Sequence, residues 1–586
     1  MPLPEYGGNL GIKRAAHLLR RATFGATPAQ ILEYAQRTPA QAIALLFPAT
    51  PLPIPPPPID PQTGQEWVTT GATGANSEGF DLERYFLGWF LGQMMSADVP
   101  AEDSLAHAAR EKLVLFLHTH FTAIASKIQS SRALYFQNQL FRQFATDKYA
   151  LPEVNFKTLT IKISIDNAML VLLDGNLNVK GSENENYARE LLELFSIGRG
   201  LEGHPNLKNL DPGDYYLYTE EDVQAAARVL TGWAFDDSFQ SIDPDTLLPR
   251  GVVKGNPTNA SAHDKDPKVF SHRFGGATVT PDTSLLNGDL PTEESALDEI
   301  RQLVDIIYSN RDTAKQICWK IYRFFVYAPH EEYTPGSLVA RIDEEIIELM
   351  ADTFIASGYK LQPVVENLLC SEHFYDSNNG GFIDDNFGGI IKSPIDLVVG
   401  TLRTFSFELP SMNTDATGFY ERTGVMLGSI EELGMNFYEP FDVAGYEAYH
   451  QFPIYHRSWI TPNTLARRYN FIRDLFNTLS LNPSILALNG LEFVQQHFNA
   501  EAPDVDELVK ALANYLLPVS QNLSLTGVDA NAEITYERMQ YFKLRFLDSF
   551  DAAYWNTRWN ESAVDLREQL DLLFNAMLQS PEYQLQ

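Results

Sequence analysis

Apolar side chains recur at three- and four-residue spacings along much of the chain, and this spacing places them on one face of an α-helix. Strictly alternating apolar and polar positions, the pattern of a half-buried strand, are scarce and short. The sequence therefore predicts a mainly α protein. The clearest helical segments are residues 292–309, 312–327, 339–357 and 505–517.

Helix starts are marked by a recurring short motif. A Ser or Thr stands where its side-chain oxygen can accept from an exposed backbone N–H, and an acid or amide follows three residues later. In most of these motifs Pro occupies the first helical position, where its fixed φ is favourable. We expect a helix to begin at residues 27–30, 38–41, 219–222 and 393–396.

The predicted elements divide the chain into five regions of a multi-helix bundle with long irregular loops. An N-terminal helical segment with a stripe of basic residues (1–47) precedes a Pro-rich linker (48–80). Eight prolines near the start of this linker favour an extended strap. A central helical core with the candidate site (81–235) follows. An irregular loop insertion (236–290), rich in Asp, Pro, Gly, Ser and Thr, leads to a C-terminal helical region (291–586).

The charge balance narrows the set of partners. The 586 residues include 44 Lys and Arg against 76 Asp and Glu, a formal charge of −32, and 44% are hydrophobic. This composition is typical of a globular protein. Binding to nucleic acid or to an anionic membrane depends on Lys and Arg that neutralise phosphate charge, so neither partner is expected. The chain contains no run of about 18 apolar residues, so no transmembrane segment is expected.

The N-terminal sequence and the cysteines bear on the compartment. Residues 1–21 lack the uninterrupted apolar stretch of a secretory signal, which favours a cytoplasmic location by default. A leader removed before residue 1 would leave the same sequence. The two cysteines, Cys318 and Cys370, are too few for a disulfide framework or a cysteine-rich metal site. We expect two buried thiols, with a single bridge as the alternative.

Five basic residues cluster within nine positions near the N-terminus: Lys13, Arg14, His17, Arg20 and Arg21. On a helix, Lys13, His17 and Arg20 share one face, and Arg14 and Arg21 lie on a neighbouring face. Such a stripe could hold an anionic group, with Arg20 or Arg21 as the clamp. The alternative is that these side chains pair with the protein's own surplus carboxylates.

A second polar cluster lies within residues 110–121, where the pattern predicts a helix. His118 and His120 are two residues apart and therefore point to opposite faces of a helix, which disfavours a joint metal site. Glu111 and His118 share a face, and a buried carboxylate beside an imidazole suits acid/base catalysis or metal ligation. The alternative is a histidine that is hydrogen-bonded inside the core.

Residues 174–185 match part of the ligand spacing of a calcium-binding loop. Ca²⁺ is held by about six to eight oxygens, including a closing bidentate carboxylate. The sixth loop position, normally Gly, is Val179 here, and Ser182 with Glu185 could instead form a capping box for the next helix. The candidate calcium ligands are Asp174, Asn176, Asn178, Ser182 and Glu185.

The helix predicted after this loop carries Glu190 and Glu193 one turn apart on its polar face. Paired carboxylates of this kind serve as acid/base groups or metal ligands. Charges on a solvated helix face have the same spacing, which is the alternative. His263 and Asp264, in a polar loop, are weaker candidates for ligation.

Nine segments in order along nearly the whole chain are AAHLLRRATFGATPAQ (15–30), REKLVLFLHTHF (110–121), LDGNLNVKGSENENYARELLELFSIGRG (173–200), YTEEDVQAAARVLTGWAF (218–235), HDKDPKVF (263–270), KIYRFFV (320–326), KSPIDLVVGTLR (392–403), FYEPFDVAGY (437–446) and LQSPEYQ (578–584). Together they resemble a bacterial family catalogued as domain of unknown function 1800, to which no activity is firmly assigned. The resemblance implies a helical protein, often exported, and often encoded beside a companion resembling the sulfatase or alkaline-phosphatase fold. Relatives often carry His where this chain has Phe195.

Two hypotheses follow for the function. In the first, the chain is a hydrolytic or redox enzyme acting on an anionic or envelope-derived substrate. Its buried polar site would gather His118 as base or ligand, Glu111, Glu190 and the arginine clamp, with calcium or an unidentified transition metal as cofactor. In the second, it is a non-catalytic assembly or binding protein in which the same polar network is structural.

Overall fold

The computed structural model describes residues 2–69, 80–149, 151–376, 386–477, 484–561 and 566–586, so residues 70–79 of the expected linker lie outside it. The described chain is mainly α-helical, as predicted. Its strands form short antiparallel pairs: β1 (Ile59–Asp60) with β2 (Gln65–Glu66), β3 (Trp233–Ala234) with β4 (Val252–Val253), and β5 (Lys268–Val269) with β6 (Thr278–Val279).

The helices of the first half of the chain precede the short strands β3 to β6. They are α1 (Gly11–Ala22), α2 (Pro28–Ala35), α3 (Pro39–Leu46), α4 (Phe80–Met94), α5 (Ser104–His120), α6 (Ala125–Ile128), α7 (Ser131–Ala145), α8 (Phe156–Ser164), α9 (Asn167–Leu172), α10 (Glu185–Glu193) and α11 (Glu220–Val229).

The second half is helical to its end. Its helices are α12 (Glu293–Ser309), α13 (Arg311–Phe325), α14 (Leu338–Ile342), α15 (Glu348–Ala356), α16 (Leu361–Cys370), α17 (Pro394–Thr404), α18 (Ala416–Glu432), α19 (Glu447–His450), α20 (Pro462–Leu475), α21 (Gly490–His497), α22 (Val505–Leu516), α23 (Tyr536–Leu547), α24 (Ala552–Asn560) and α25 (Leu566–Leu578). A π-helical turn (Asp343–Ile347) joins α14 to α15, where the pattern predicts one continuous helix.

The expected helix starts are confirmed. Thr27 and Thr38 form capping boxes at the starts of α2 and α3, and the Ser393 side chain accepts from the N–H of Asp396 at the start of α17. The capping box expected at Ser182 is wrong. Helix α10 begins two residues later than that box requires, and the side chain of Asn184 caps it.

Helix packing brings distant parts of the chain together. Helix α1 packs on α2 and α22, α5 packs on α4 and α7, and α17 packs on α18. Their buried apolar side chains belong to one continuous core that includes Leu19, Phe116, Leu402, Leu516 and Tyr583. Because α1, α17 and α22 meet in this core, residues from the two ends of the sequence surround one pocket.

The Pro-rich segment is tied to the helices beneath it. The indole N–H of Trp89 on α4 donates to the carbonyl of Pro56 at 3.0 Å. On α5, Arg110 Nη1 donates to the carbonyl of Pro53 at 2.8 Å. The indole of Trp67 donates to Ser131 Oγ at 2.9 Å. Prolines leave neighbouring carbonyls without a regular ladder of partners, so these side chains hold the strap in place.

Residues 236–290 have little regular secondary structure but many buried ionic contacts. Lys162 on α8 pairs with Asp243 at 2.8 Å, and both side chains are buried. Glu299 on α12 pairs with Lys268 and lies 3.3 Å from His263 Nε2. These contacts attach the region to the helical body, and they place His263 inside the protein.

Two expectations from composition concern the cysteines and the membrane. Cys318 and Cys370 are buried free thiols, as expected. Across the described ranges, no helix is both long and apolar enough to cross a bilayer.

Candidate functional site

Glu111 lies on α5 and is completely buried. It accepts from Arg110 Nε at 2.9 Å and from Arg142 Nε and Nη2 at 2.9 and 2.6 Å. Burial favours the neutral acid, but the two guanidiniums outweigh it and hold the pKa of Glu111 at about 2. Glu111 is therefore a carboxylate whose hydrogen bonds join two buried arginines.

His118, seven residues further along α5, has a separate environment. Its ring stacks on Tyr438, with the centroids 3.9 Å apart, and its Nε2 lies 3.0 Å from Tyr446 Oη. The same hydroxyl oxygen accepts from the N–H of Tyr438 at 2.8 Å, which leaves its proton free to donate to His118. Burial lowers the pKa of His118 to about 3, so the imidazole is neutral near pH 7.

Glu190 and Glu193 on α10 differ in their surroundings. Glu193 accepts from Arg199 Nη2 at 2.5 Å and from Tyr218 Oη at 3.2 Å. Burial raises the pKa of Glu190 to about 7, and the charge of Glu193 adds to this effect. Glu190 thus titrates near neutrality, whereas Glu193 belongs to an ion pair.

The loop proposed for calcium uses several of its side chains for contacts within the protein. Asp174 Oδ2 lies 3.2 Å from Lys127 Nζ. The Asn178 amide donates to the carbonyl of Ala227 at 2.8 Å and accepts from the N–H of Asn184 at 3.1 Å. Asn176 is partly exposed in a 3₁₀ turn, and Glu185 lies 3.4 Å from Arg189. The calcium assignment stays a prediction.

Metal binding at the other candidate residues also stays a prediction. Within the described part of the chain, no group of three or more His, Cys, Asp or Glu side chains is placed to hold a metal ion. Asp264, a weaker ligation candidate, accepts from Arg228 Nε at 2.7 Å. The transition metal also stays a prediction.

The basic stripe on α1 separates into different environments. Lys13 pairs with Glu533, as the carboxylate alternative predicts. His17 lies between the rings of Phe374 and Phe387, with centroids 4.5 and 4.4 Å away. Arg21 departs from that alternative, because its Nη2 donates to the carbonyl of Asn386 at 2.9 Å instead of to a carboxylate.

Arg20 lines a pocket between α1, α17 and α22. The cavity volume that water can enter is about 30 Å³, room for about two water molecules. Arg20 Nη2 donates to the carbonyl of Tyr515 at 2.6 Å. Lys392, just before α17, lies on the same pocket, and its Nζ stands 3.4 Å above the Tyr583 ring. Across the described ranges, neither cation lies within 4.0 Å of a carboxylate oxygen.

Asp396, also on this pocket, is already engaged elsewhere. It pairs with Lys112 on α5 and accepts from Ser393 Oγ at 2.8 Å and from Gln586 Nε2 at 3.2 Å. Burial favours the neutral acid, but Lys112 and these hydrogen bonds keep the pKa of Asp396 below its ordinary value. Asp396 is therefore a carboxylate whose charge is neutralised by Lys112.

The two pocket cations differ in how strongly they are desolvated. Burial lowers the pKa of Arg20 to about 10, so it stays charged near pH 7. Burial, together with the charge of Arg20, lowers the pKa of Lys392 well below the ordinary lysine value. Arg468 donates to the Lys392 carbonyl at 2.8 Å and adds to the positive potential. Arg20 thus gives the pocket a positive charge near pH 7, and a bound anion would favour the charged form of Lys392.

The predicted catalytic residues do not meet in one site. Glu111 binds Arg110 and Arg142, His118 binds Tyr446, and Glu190 lies on α10, while the pocket is lined by other residues. Of the predicted set, Arg20 lines the pocket, and Arg21 lies buried on the same helix.

Sequence reasoning missed Lys392 and Asp396 as site residues. Their segment, Lys392-Ser393-Pro394-Ile395-Asp396, carries a readable signal: a charged residue directly precedes the cap of an apolar helix, and an acid follows four positions later. We interpreted that pattern as a helix start alone.

Comparison with known proteins agrees with the resemblance seen in the sequence. The family described as "Protein of unknown function (DUF1800)" matches residues 17–585. The chain belongs to this family, and the match includes the pocket residues from Leu19 to Tyr583. No curated protein and no solved structure gives a significant match.

Proposed function

We propose that this protein binds a small anionic group in the pocket between α1, α17 and α22. Arg20 and Lys392 would contact the anion, and the carrying observation is that both cations line the pocket with no carboxylate paired to them in the described chain. The predicted arginine clamp corresponds to Arg20 in this proposal, with Lys392 in place of Arg21.

Energetics support an anionic ligand. A charge removed from water without a counter-charge costs several kcal/mol, and the side chain of Lys392 is only 6% exposed. The Tyr583 ring stabilises the charged Lys392 ammonium through a cation–π contact worth about 0.5–2 kcal/mol. A bound anion would pair with both cations and offset most of the desolvation cost.

The same geometry favours binding over catalysis. His118, Glu111 and Glu190, the predicted acid/base groups, are absent from the pocket lining. The pocket therefore supports the anionic part of the predicted substrate and gives no support to a hydrolytic or redox step. Calcium, a transition metal and a companion resembling the sulfatase fold remain predictions.

Thermal unfolding in a zwitterionic buffer tests the proposal, with acetate and inorganic phosphate added in separate titrations. We expect a saturable rise in the unfolding midpoint with at least one anion, since a ligand at about 100 times its Kd stabilises by about 2.7 kcal/mol. Lys392→Met keeps the apolar stem and removes the charge, so it should abolish the saturable response.

Lys13→Met is the matched control. It removes a cation from the same stripe, but Lys13 pairs with Glu533 outside the pocket, so the response should persist. Equal responses of the wild type and Lys392→Met would show that the anions act only through general salt effects, and the proposal would be wrong.

A further inference from the structure

We infer that a second anion site lies between α1, α13 and the 3₁₀ turn Tyr455–Trp459, and that it binds a dianionic oxyanion of the phosphate type. This site is separate from the pocket that Arg20 lines. The inference follows from neighbouring side chains that carry buried N–H groups without an acceptor in the described chain. They are Arg21, Arg323, His456 and Arg457.

His456 lies at the centre of this group. Its side chain is 7% exposed, and its Nδ1 accepts from the N–H of Ile391 at 3.2 Å. Because Nδ1 accepts, the proton of the neutral ring lies on Nε2, which has no hydrogen-bond partner among the described residues. Burial lowers the pKa of His456 to about 3, and the positive charges of Arg457 and Arg21 add to this effect. His456 therefore offers a buried N–H donor near two guanidiniums.

Arg21 approaches the site from α1 and is 1% exposed. Its Nη2 donates to the carbonyl of Asn386, whereas Nε and Nη1 have no partner in the described part of the chain. The carboxylates whose charges reach Arg21 make other contacts. Asp396 pairs with Lys112, and Asp376 accepts from the N–H of Asn386 at 3.0 Å. Burial lowers the pKa of Arg21 to about 9, so it stays charged near pH 7.

Arg457 and Arg323 form the side of the site that solvent reaches. Both are partly exposed, and neither lies within 4.0 Å of a carboxylate oxygen of the described chain. Arg457 Nη2 donates to His330 Nδ1 at 3.0 Å. The Cζ of Arg323 lies 4.9 and 5.1 Å from the ring centroids of Trp319 and Tyr455. These contacts orient both guanidiniums before a ligand binds.

Other arginines of this acidic chain have carboxylate partners. Arg301 pairs with Glu294 at 3.1 Å, and Arg467 pairs with Glu432 at 3.0 Å. The arginines around His456 lack such partners within the described ranges, although the chain has 76 acidic residues. A buried donor without an acceptor costs free energy, and an oxyanion would supply the missing acceptors.

The charges and donors of the site indicate the class of ligand. Arg21, Arg323 and Arg457 are cations, and His456 adds a neutral donor. A phosphate group carries about −1.5 to −2 charge near pH 7 and several acceptor oxygens, so it can accept from more than one guanidinium. A carboxylate has one charge and two oxygens and would leave more of these donors without acceptors. Free phosphate and the phosphate group of an ester share this chemistry.

Calorimetric titration of the full chain with sulfate, inorganic phosphate and glycerol 3-phosphate, at constant ionic strength, tests the inference. We expect saturable binding of sulfate and phosphate by the wild type. Arg457→Met removes the charge and keeps an apolar stem, so it should weaken both affinities at least about tenfold, the loss expected for a hydrogen bond between charged groups. Arg301→Met is the matched control, because Arg301 pairs with Glu294 on α12, and it should leave the affinities unchanged.

Arg323→Met is a second variant, on a different element, and decides the inference if Arg457→Met does not fold. We expect it to weaken sulfate and phosphate binding in the same direction. Glycerol 3-phosphate that binds as tightly as phosphate would support an ester as the ligand. Binding of the inorganic anions alone would support the free ion.

The variants also distinguish the two anion sites. A phosphate response that survives Lys392→Met and is lost in Arg457→Met belongs to the site around His456, and acetate remains the probe of the pocket that Arg20 lines. Absence of saturable sulfate and phosphate binding would overturn the inference. Equal affinities of the wild type and Arg457→Met for these anions would overturn it as well, and a Lys392-dependent acetate response would still support the first proposal.

Discussion

Replacing Glu111 by Gln should destabilise the protein strongly without changing its fold. The amide keeps the volume of the side chain but removes the carboxylate that accepts from both Arg110 and Arg142. All three side chains are at most 2% exposed, so two guanidiniums would remain buried without that counter-charge. Removing one partner from a buried ion pair typically costs about 3–5 kcal/mol.

The expected shift in the unfolding midpoint follows from the chain length. Unfolding entropy is about 2.1 cal/mol/K per residue, or about 1.2 kcal/mol/K for 586 residues that unfold together. A loss of about 3–5 kcal/mol therefore lowers the midpoint by about 2–4 °C. Differential scanning calorimetry measures this shift, and urea unfolding measures the free energy of unfolding directly.

Glu33→Gln is the matched control. Glu33 pairs with Arg37 at 2.8 Å on an exposed helix face, so its loss should cost no more than about 0.5 kcal/mol. If both variants lose the same small amount, Glu111 does not neutralise the two arginines as the structure indicates, and the reasoning about its role is refuted.

Two further predictions concern protons. Acetate binding should take up part of a proton, because a bound anion favours protonated Lys392, whose pKa is low in the free pocket. The affinity for acetate should therefore fall as pH rises. Equal binding heats in buffers of different ionisation enthalpy would contradict this prediction. Glu190 has a folded pKa of about 7 against an ordinary value of 4.5, so its contribution to stability is full below about pH 4.5 and is lost as pH rises through 7. Glu190→Gln should flatten this part of the profile of unfolding midpoint against pH, and an unchanged profile would count against the assignment.

Local sequence patterns predicted most of the helices because helix starts are short-range features. Thr27 and Thr38 cap helices through residues three positions away, and the structure confirms both. The apolar spacing of residues 505–517 likewise corresponds to α22. The break at Asp343–Ile347 was not predicted, because the apolar spacing continues through the π turn.

The candidate site was predicted less well, because its contacts join residues far apart in the sequence. Glu111 was expected beside His118, but Arg142, 31 residues away, takes its carboxylate. His118 instead meets Tyr446, 328 positions later. Helix periodicity gives the face of each residue but not the helix that packs against that face. Arg20 was identified because its charge contrasts with an acidic chain.

Two buried tryptophans contact the Pro-rich strap or belong to it, so tryptophan fluorescence can report the release of this segment. Trp89 and Trp67 are both at most 2% exposed, and their indole N–H groups donate to Pro56 and Ser131. Lifting the Pro-rich segment would bring water to Trp89 while the helical body stayed folded. A red shift of tryptophan emission that precedes the loss of circular dichroism would therefore signal release of this segment.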